Sequence, residues 1–209
     1  MKKRIENIHF DSKKLKIGEN IMKVYIMRHG ETDANKERII QGQRNTHLNE
    51  EGKKQAIEAG KIIKKIDFAA VYTSPLERAI ETAELATGRS REEFHIEKRL
   101  AEISFGELEG CSIMDDKLYA FFAAPEQYQP PEDGETLEEL SKRVWEFMEE
   151  IKGKYPNQNV LLVSHGAAIH AIWYKMTGIS MKDFWKIKVG NCTILEVSDE
   201  TGEYREEEK

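Results

Sequence analysis

The chain has 209 residues, 39% apolar and 33% charged, with a net charge of −6. This length suits one domain that buries about 70% of its unfolded surface without staples. Two cysteines, Cys111 and Cys192, exclude a disulfide framework and a four-thiolate zinc site. No run nears the roughly 18 apolar residues of a membrane span, and the acidic balance excludes a nucleic-acid partner held by a general basic field.

Residues 1–22 carry six basic and three acidic side chains without a clean period, which predicts an appendage outside the core. Lys2, Lys3 and Arg4 look like a signal-peptide start. Lys13, Lys14 and Lys16 stand where its apolar stretch belongs, so a cytoplasmic protein is expected. The domain is expected over 23–198. Its first strand is the buried run Val24-Tyr25-Ile26-Met27. A helix follows over about 50–66, with Ala56, Ala59, Ile62, Ile63 and Ile66 at helical spacing. Ala69 to Tyr72 is a second strand. Ser74-Pro75 predicts the cap and first residue of a helix that Gly88 stops.

Phe94 to Leu100 is read as a further strand, and the Gly- and Pro-rich segment 105–135 as short pieces and loops. Thr136 with Glu139 resembles a capping box opening a helix to about Gly153. Val160 to Val163 reads as a strand buried on both faces, followed by a helix over 166–176 and a last strand from Cys192 to Val197. Residues 199–209, with six acidic and two basic side chains, are expected to be a solvated tail. This alternation predicts an α/β fold, a three-layer α/β/α arrangement around a mostly parallel sheet.

Two tripeptides stand at matching places. Arg28-His29-Gly30 ends the first buried strand and Ser164-His165-Gly166 ends the strand at 160–163. Ligands bind outside the carboxyl ends of parallel strands, so the two histidines can face each other. Each following glycine is expected to let the backbone approach a ligand. Arg28 adjoins His29, and Arg78 lies one turn into its helix. Two guanidinium forks can clamp one dianion, although Arg78 alone also reads as a surface charge paired with Glu81.

Longer stretches carry a resemblance. Arg28-His29-Gly30-Glu31-Thr32, Asn35, Gln41-Gly42, Leu48, Gly52 and Gln55-Ala56 resemble the opening signature of the histidine phosphatase superfamily, the phosphoglycerate mutase-like proteins. Ser74 to Ala83 resembles its second block, and Leu100 to Gly106 with Glu109-Gly110 its third. Gly134-Glu135-Thr136 through Arg143 resembles the fourth, and Ser164-His165-Gly166 the last. The order is the family's, and the resemblance covers about Lys23 to Val197. Ala34 replaces the family's usual Trp, Asn45-Thr46-His47-Leu48 its Asp-x-Pro-Leu, and Leu108 a second Trp. These departures bear on loop geometry and substrate identity.

The resemblance implies a phosphoglycerate mutase-like fold and a phosphomonoester hydrolase acting on a small phosphorylated metabolite. His29 would be the nucleophile and form a phosphohistidine. Arg28, Arg78 and His165 would neutralise oxygen charge. Asn35, Gln41, Gly42 and Gly166 would add substrate contacts. Glu102 would be general acid and then base, helped by a dry pocket. No metal or other cofactor enters this scheme. His165 and His170, five apart, do not stack on a helix face, and His9, His47 and His95 read as surface or local structural residues.

The mutases of the family carry a longer segment before the Gly-Glu-Ser/Thr block than the 111–133 found here. A short lid leaves the site open to water and favours hydrolysis over mutase-type phosphoryl transfer. Its Tyr119, Phe121, Phe122 and Tyr128 either pack together or contact the leaving group. A rival of another class is a non-catalytic protein that binds a phosphorylated ligand. Such a relative would be expected to lose the nucleophile or the acid, and His29, Glu102 and His165 are all present.

Overall fold

The two buried runs lie side by side. In a computed structural model that describes residues 22–197 and the backbone of 204–206, β1 (Lys23–Arg28) pairs in parallel with β4 (Asn159–Ser164). The elements between them are α1 (Asp33–Lys36), α2 (Glu50–Ile63), β2 (Phe68–Thr73), α3 (Glu77–Thr87), β3 (His95–Ile96), α4 (Tyr119–Ala123) and α5 (Leu137–Ile151). After β4 come α6 (Gly166–Thr177), β5 (Ile194–Val197) and β6 (Tyr204–Glu206). The sheet order is β3-β2-β4-β1-β5-β6, parallel except that β5 is antiparallel to both β1 and β6. Of the appendage expected over 1–22, residues 1–21 lie outside the described residues, and Met22 is buried in the core instead.

Successive strand residues face opposite layers, which is why the runs are continuously apolar. Val24, Ile26, Val160 and Leu162 pack with α5 and α6. Tyr25, Met27, Leu161 and Val163 pack with α2 and α3. The expected three layers follow directly. Asn49 caps α2 by accepting from Gly52 N–H at 2.8 Å, and Thr136 with Glu139 closes the expected capping box of α5.

Three boundaries differ from expectation. Helix α3 starts at Glu77 with Leu76 as its cap, because the Ser74 hydroxyl accepts from Leu76 N–H at 3.3 Å and is turned toward His165 instead. The strand expected over Phe94–Leu100 is cut to His95–Ile96. Glu97 there accepts from Arg99 N–H at 2.9 Å, turning the chain so that Leu100 buries in the core. The last strand begins at Ile194, since Cys192 sits at φ 53 in a turn whose N–H meets Arg28 O at 3.1 Å.

The segment after 105 is a series of 3-10 turns around α4. Phe121 is edge-on to Phe105, Phe122, Tyr128 and Trp185, with ring centroids 4.8–4.9 Å apart. Phe121 and Tyr128 are therefore packing residues, while Tyr119 and Phe122 stay exposed. Residues 204–206, expected in the tail, add an edge strand to β5. Among the described residues no helix is long and apolar enough to cross a membrane.

Candidate active site

The register of β1 and β4 sets the site. Arg28 pairs with Ser164, so His29 and His165 leave the sheet together, and their rings lie 5.1 Å apart between centroids. Both are buried, at 2% and 0% exposure. His29 Nδ1 lies 2.7 Å from Gly30 O. A carbonyl only accepts, so Nδ1 carries the proton and Nε2 keeps its lone pair. Burial first, then the charges of Arg78 and Arg28, hold this imidazole well below its usual value, so it is neutral.

His165 is set the opposite way. Its Nε2 lies 2.7 Å from the Ser74 hydroxyl, which already accepts from Leu76 N–H. Among the described residues Nε2 is the one acceptor this hydroxyl meets, so the pair is satisfied with Ser74 donating and Nδ1 of His165 as the ring N–H. Burial and the neighbouring positive charges keep this ring neutral too. One buried imidazole offers a lone pair and the other a donor.

Arg78 is 1% exposed, which overturns its reading as a surface charge. Glu81 instead meets His47 Nδ1 at 2.6 Å and Leu48 N–H at 2.8 Å. Arg78 donates from Nη2 to Gly42 O at 2.7 Å and from Nη1 to Arg44 O at 2.8 Å, and burial lowers its pKa to about 10. Arg28 donates from Nη1 to Val189 O at 2.7 Å, and burial lowers its pKa as well. Among the described residues five buried side-chain polar atoms lack a partner, and three are Arg28 Nε, Arg78 Nε and His165 Nδ1. Buried donors are otherwise almost always paired. Their concentration on these residues marks a place for an anionic oxygen-rich group.

Glu102 reaches the site from the loop after β3. Its Oε2 accepts from Ala167 N–H at 3.2 Å, and its Oε1 accepts from Ala168 N–H at 3.2 Å and Ile103 N–H at 3.0 Å. Ala167 and Ala168 are in the first turn of α6, where free N–H groups and the helix dipole favour an anion. The dry pocket expected around Glu102 is not found: the residue is only partly buried.

The remaining expected contacts divide. Gly166 faces the site, since a Cβ there would sit 3.7 Å from both Arg28 Cζ and Glu102 Oε2. Gly30 does not serve ligand approach as expected. A Cβ there would lie 2.6 Å from Gly52 O, so Gly30 lets α2 pack against the strand end, and its N–H meets Thr82 Oγ1 at 2.9 Å. Gly42 holds Arg78 through its carbonyl. Gln41 Oε1 accepts from Thr32 and Thr46 hydroxyls at 2.9 and 2.6 Å, and Asn35 Oδ1 accepts from Thr32 N–H at 3.2 Å. These oxygens brace the loop, leaving the amide groups of Gln41 and Asn35 for other partners.

His170 turns away from His165, with its two ring nitrogens 2.7 and 3.0 Å from Gly166 O and Ile187 O. The described residues bring one group of metal-ligating side chains together, His47, Glu77 and Glu81. There His47 is exposed and Glu77 pairs with Arg91 at 3.3 Å. Sequence reasoning missed the supports Ser74, Thr82 and Asn191, the last donating to His29 O at 3.0 Å. The Gly190-Asn191 dipeptide is a turn signal that could have pointed to Asn191.

Residues 24–208 match the histidine phosphatase superfamily (branch 1). The uncharacterized phosphatase PhoE of Bacillus subtilis is 36% identical over 160 residues, which are 74% of this chain and 77% of that one. A metal-independent phosphoserine phosphatase of Arabidopsis thaliana is 32% identical over 177 residues, 81% of this chain and 74% of that one. Among solved structures, a phosphoserine phosphatase mutant of Entamoeba histolytica in complex with phosphoserine superposes with a TM-score of 0.77 at 26% identity, over 90% of this chain and 95% of that one.

Proposed function

The chain belongs to the histidine phosphatase superfamily, branch 1, as a histidine-dependent phosphomonoester hydrolase, and we propose that it works through a phosphohistidine on His29. In the first step His29 Nε2 attacks phosphorus as the bond to the leaving oxygen breaks, and Glu102, which must first take up a proton from solvent against its three N–H donors, gives that oxygen the proton. In the second, water attacks the phosphohistidine, Glu102 takes the water's proton, and the P–N bond breaks to return neutral His29. Arg28, Arg78 and the Nδ1–H of His165 stabilise the charge on the transferring oxygens. The amide groups of Asn35 and Gln41 and the open face of Gly166 would add contacts to the substrate.

The observation that carries this reading is the fixed tautomer of His29. Its Nδ1 proton is held by Gly30 O, while burial first and two guanidiniums second keep the ring neutral and its Nε2 lone pair available. The substrate is a small phosphorylated metabolite. The phosphoserine phosphatases among the relatives put phosphoserine first on the panel to be tested. The experiment is inorganic phosphate release from phosphoserine and an aryl phosphate, run beside phosphoglycerate interconversion. Phosphate release should dominate; faster interconversion would overturn the hydrolase reading in favour of a mutase.

A further inference from the structure

The Gly-Glu-Thr segment and Arg143 have no role in the steps above, yet they form the most densely bonded cluster beside Glu102. Arg143 Nε donates to Glu135 Oε1 at 2.6 Å, and Nη2 to Glu135 Oε2 at 2.8 Å. Nη1 donates to Arg99 O at 2.7 Å and Ala101 O at 2.8 Å, and Nη2 also to Glu102 O at 3.0 Å. A guanidinium has five N–H groups, and here all five are used. Arg28 and Arg78 each keep a buried Nε–H without a partner. Arg143 has no donor left for a phosphate oxygen.

Those bonds hold one short piece of chain. After β3 the backbone turns at Lys98–Leu100 and leaves the sheet, so the carbonyls of Arg99, Ala101 and Glu102 have no strand partner. Arg143 collects all three. On the far side of Glu102, Glu135 N–H donates to Ser104 O at 2.8 Å, and Glu135 Oε2 accepts from Ser104 N–H at 3.4 Å. The Glu102 main chain is thereby clipped on both sides, while its carboxylate reaches α6. Arg143 and Glu135 are 20% and 14% exposed in their side chains, so the pair is largely withdrawn from water.

We infer that Arg143 and Glu135 are positioning residues for Glu102, setting where its carboxyl meets the leaving oxygen without touching substrate. This rests on the reading of Glu102 as general acid. A planar fork is required: the Lys ammonium is a single point that cannot span three carbonyls and a carboxylate. Small misplacement of a catalytic group costs as much as about 100-fold in rate.

The test compares kcat and KM of Arg143→Lys, Glu135→Gln and Glu102→Gln on an alkyl and a p-nitrophenyl phosphate, with orthophosphate inhibition measured in each. Arg143→Lys and Glu135→Gln should lose about 10- to 100-fold in kcat on the alkyl ester, which needs a proton, and far less on the aryl ester. Orthophosphate inhibition should stay within about twofold, because the phosphate donors are untouched. Adding Arg143→Lys to Glu102→Gln should cost little more, since no proton remains to be placed. A loss that only reflected poorer folding would fall equally on both esters. Equal losses in Arg143→Lys, with leaving-group dependence intact in Glu102→Gln, would overturn the positioning role. Equal losses in Glu102→Gln itself would overturn the acid role on which it rests.

Discussion

Burial decides what His29 and His165 can do, and it leaves a signature in stability. Both rings sit well below the usual imidazole value of 6.5, through desolvation first and positive neighbours second. On unfolding they return to that value, so below it the unfolded state binds more protons and stability decreases as the pH is lowered. Above it the contribution is complete. Each ring adds up to about 1.4 kcal/mol per pH unit between its two values. Denaturant midpoints should therefore drop less steeply below about pH 6.5 in His165→Gln than in the parent; equal slopes would contradict the buried neutral state. Ser74 governs the other half of His165. In Ser74→Ala the ring loses the donor that fixes its proton on Nδ1. Ring-nitrogen NMR should then show mixed tautomers, and orthophosphate should bind roughly threefold to tenfold more weakly. An unchanged tautomer and affinity would remove Ser74 from that role.

Elements carry the two glycines of the paired tripeptides to different ends. Gly30 backs onto the α2 backbone, with only 2.6 Å to Gly52 O for an added Cβ, whereas Gly166 has 3.7 Å to its nearest neighbours. Gly30→Ala should cost about 1–3 kcal/mol and lower Tm by several degrees. Gly166→Ala should leave Tm unchanged, since its methyl would make only ordinary contact with Arg28 and Glu102, but take up space on the phosphate side and weaken phosphate binding. Equal Tm losses would show that both glycines serve packing alone. The strands β1 and β4 were legible because burial on both faces makes their sequences continuously apolar, and α5 because Thr136 and Glu139 form a local box. Phe94–Leu100 misled, since strand-like residues there are overridden by the Glu97–Arg99 turn and the burial of Leu100. The turn is a local side-chain competition with the strand, and the burial of Leu100 is tertiary.

At the scale of the whole molecule, the sheet apart from its edge strand β6, both helix layers and every proposed site residue lie within 22–197. Deleting residues 1–21 should accordingly leave Tm and turnover nearly unchanged, and a large fall in Tm would show that they belong to the core. The histidine and arginine positions were readable because strand ends converge in a parallel sheet. Their supports were not, because the contacts join distant parts of the chain: Ser74 meets His165 across 91 residues, Asn191 meets His29 across 162, and Glu102 meets α6 across 65. Nothing in local spacing encodes these. The same long-range convergence brings the proposed nucleophile His29 under the charges of Arg78 and Arg28, and that proposal is the centre of the account. Its most direct test is rapid acid-free quenching of Glu102→Gln during turnover of a phosphorus-labelled p-nitrophenyl phosphate. Acid-labile, alkali-stable label should appear on His29 and be absent from His29→Ala. Turnover without any protein-bound label, or the same label in His29→Ala, would contradict it.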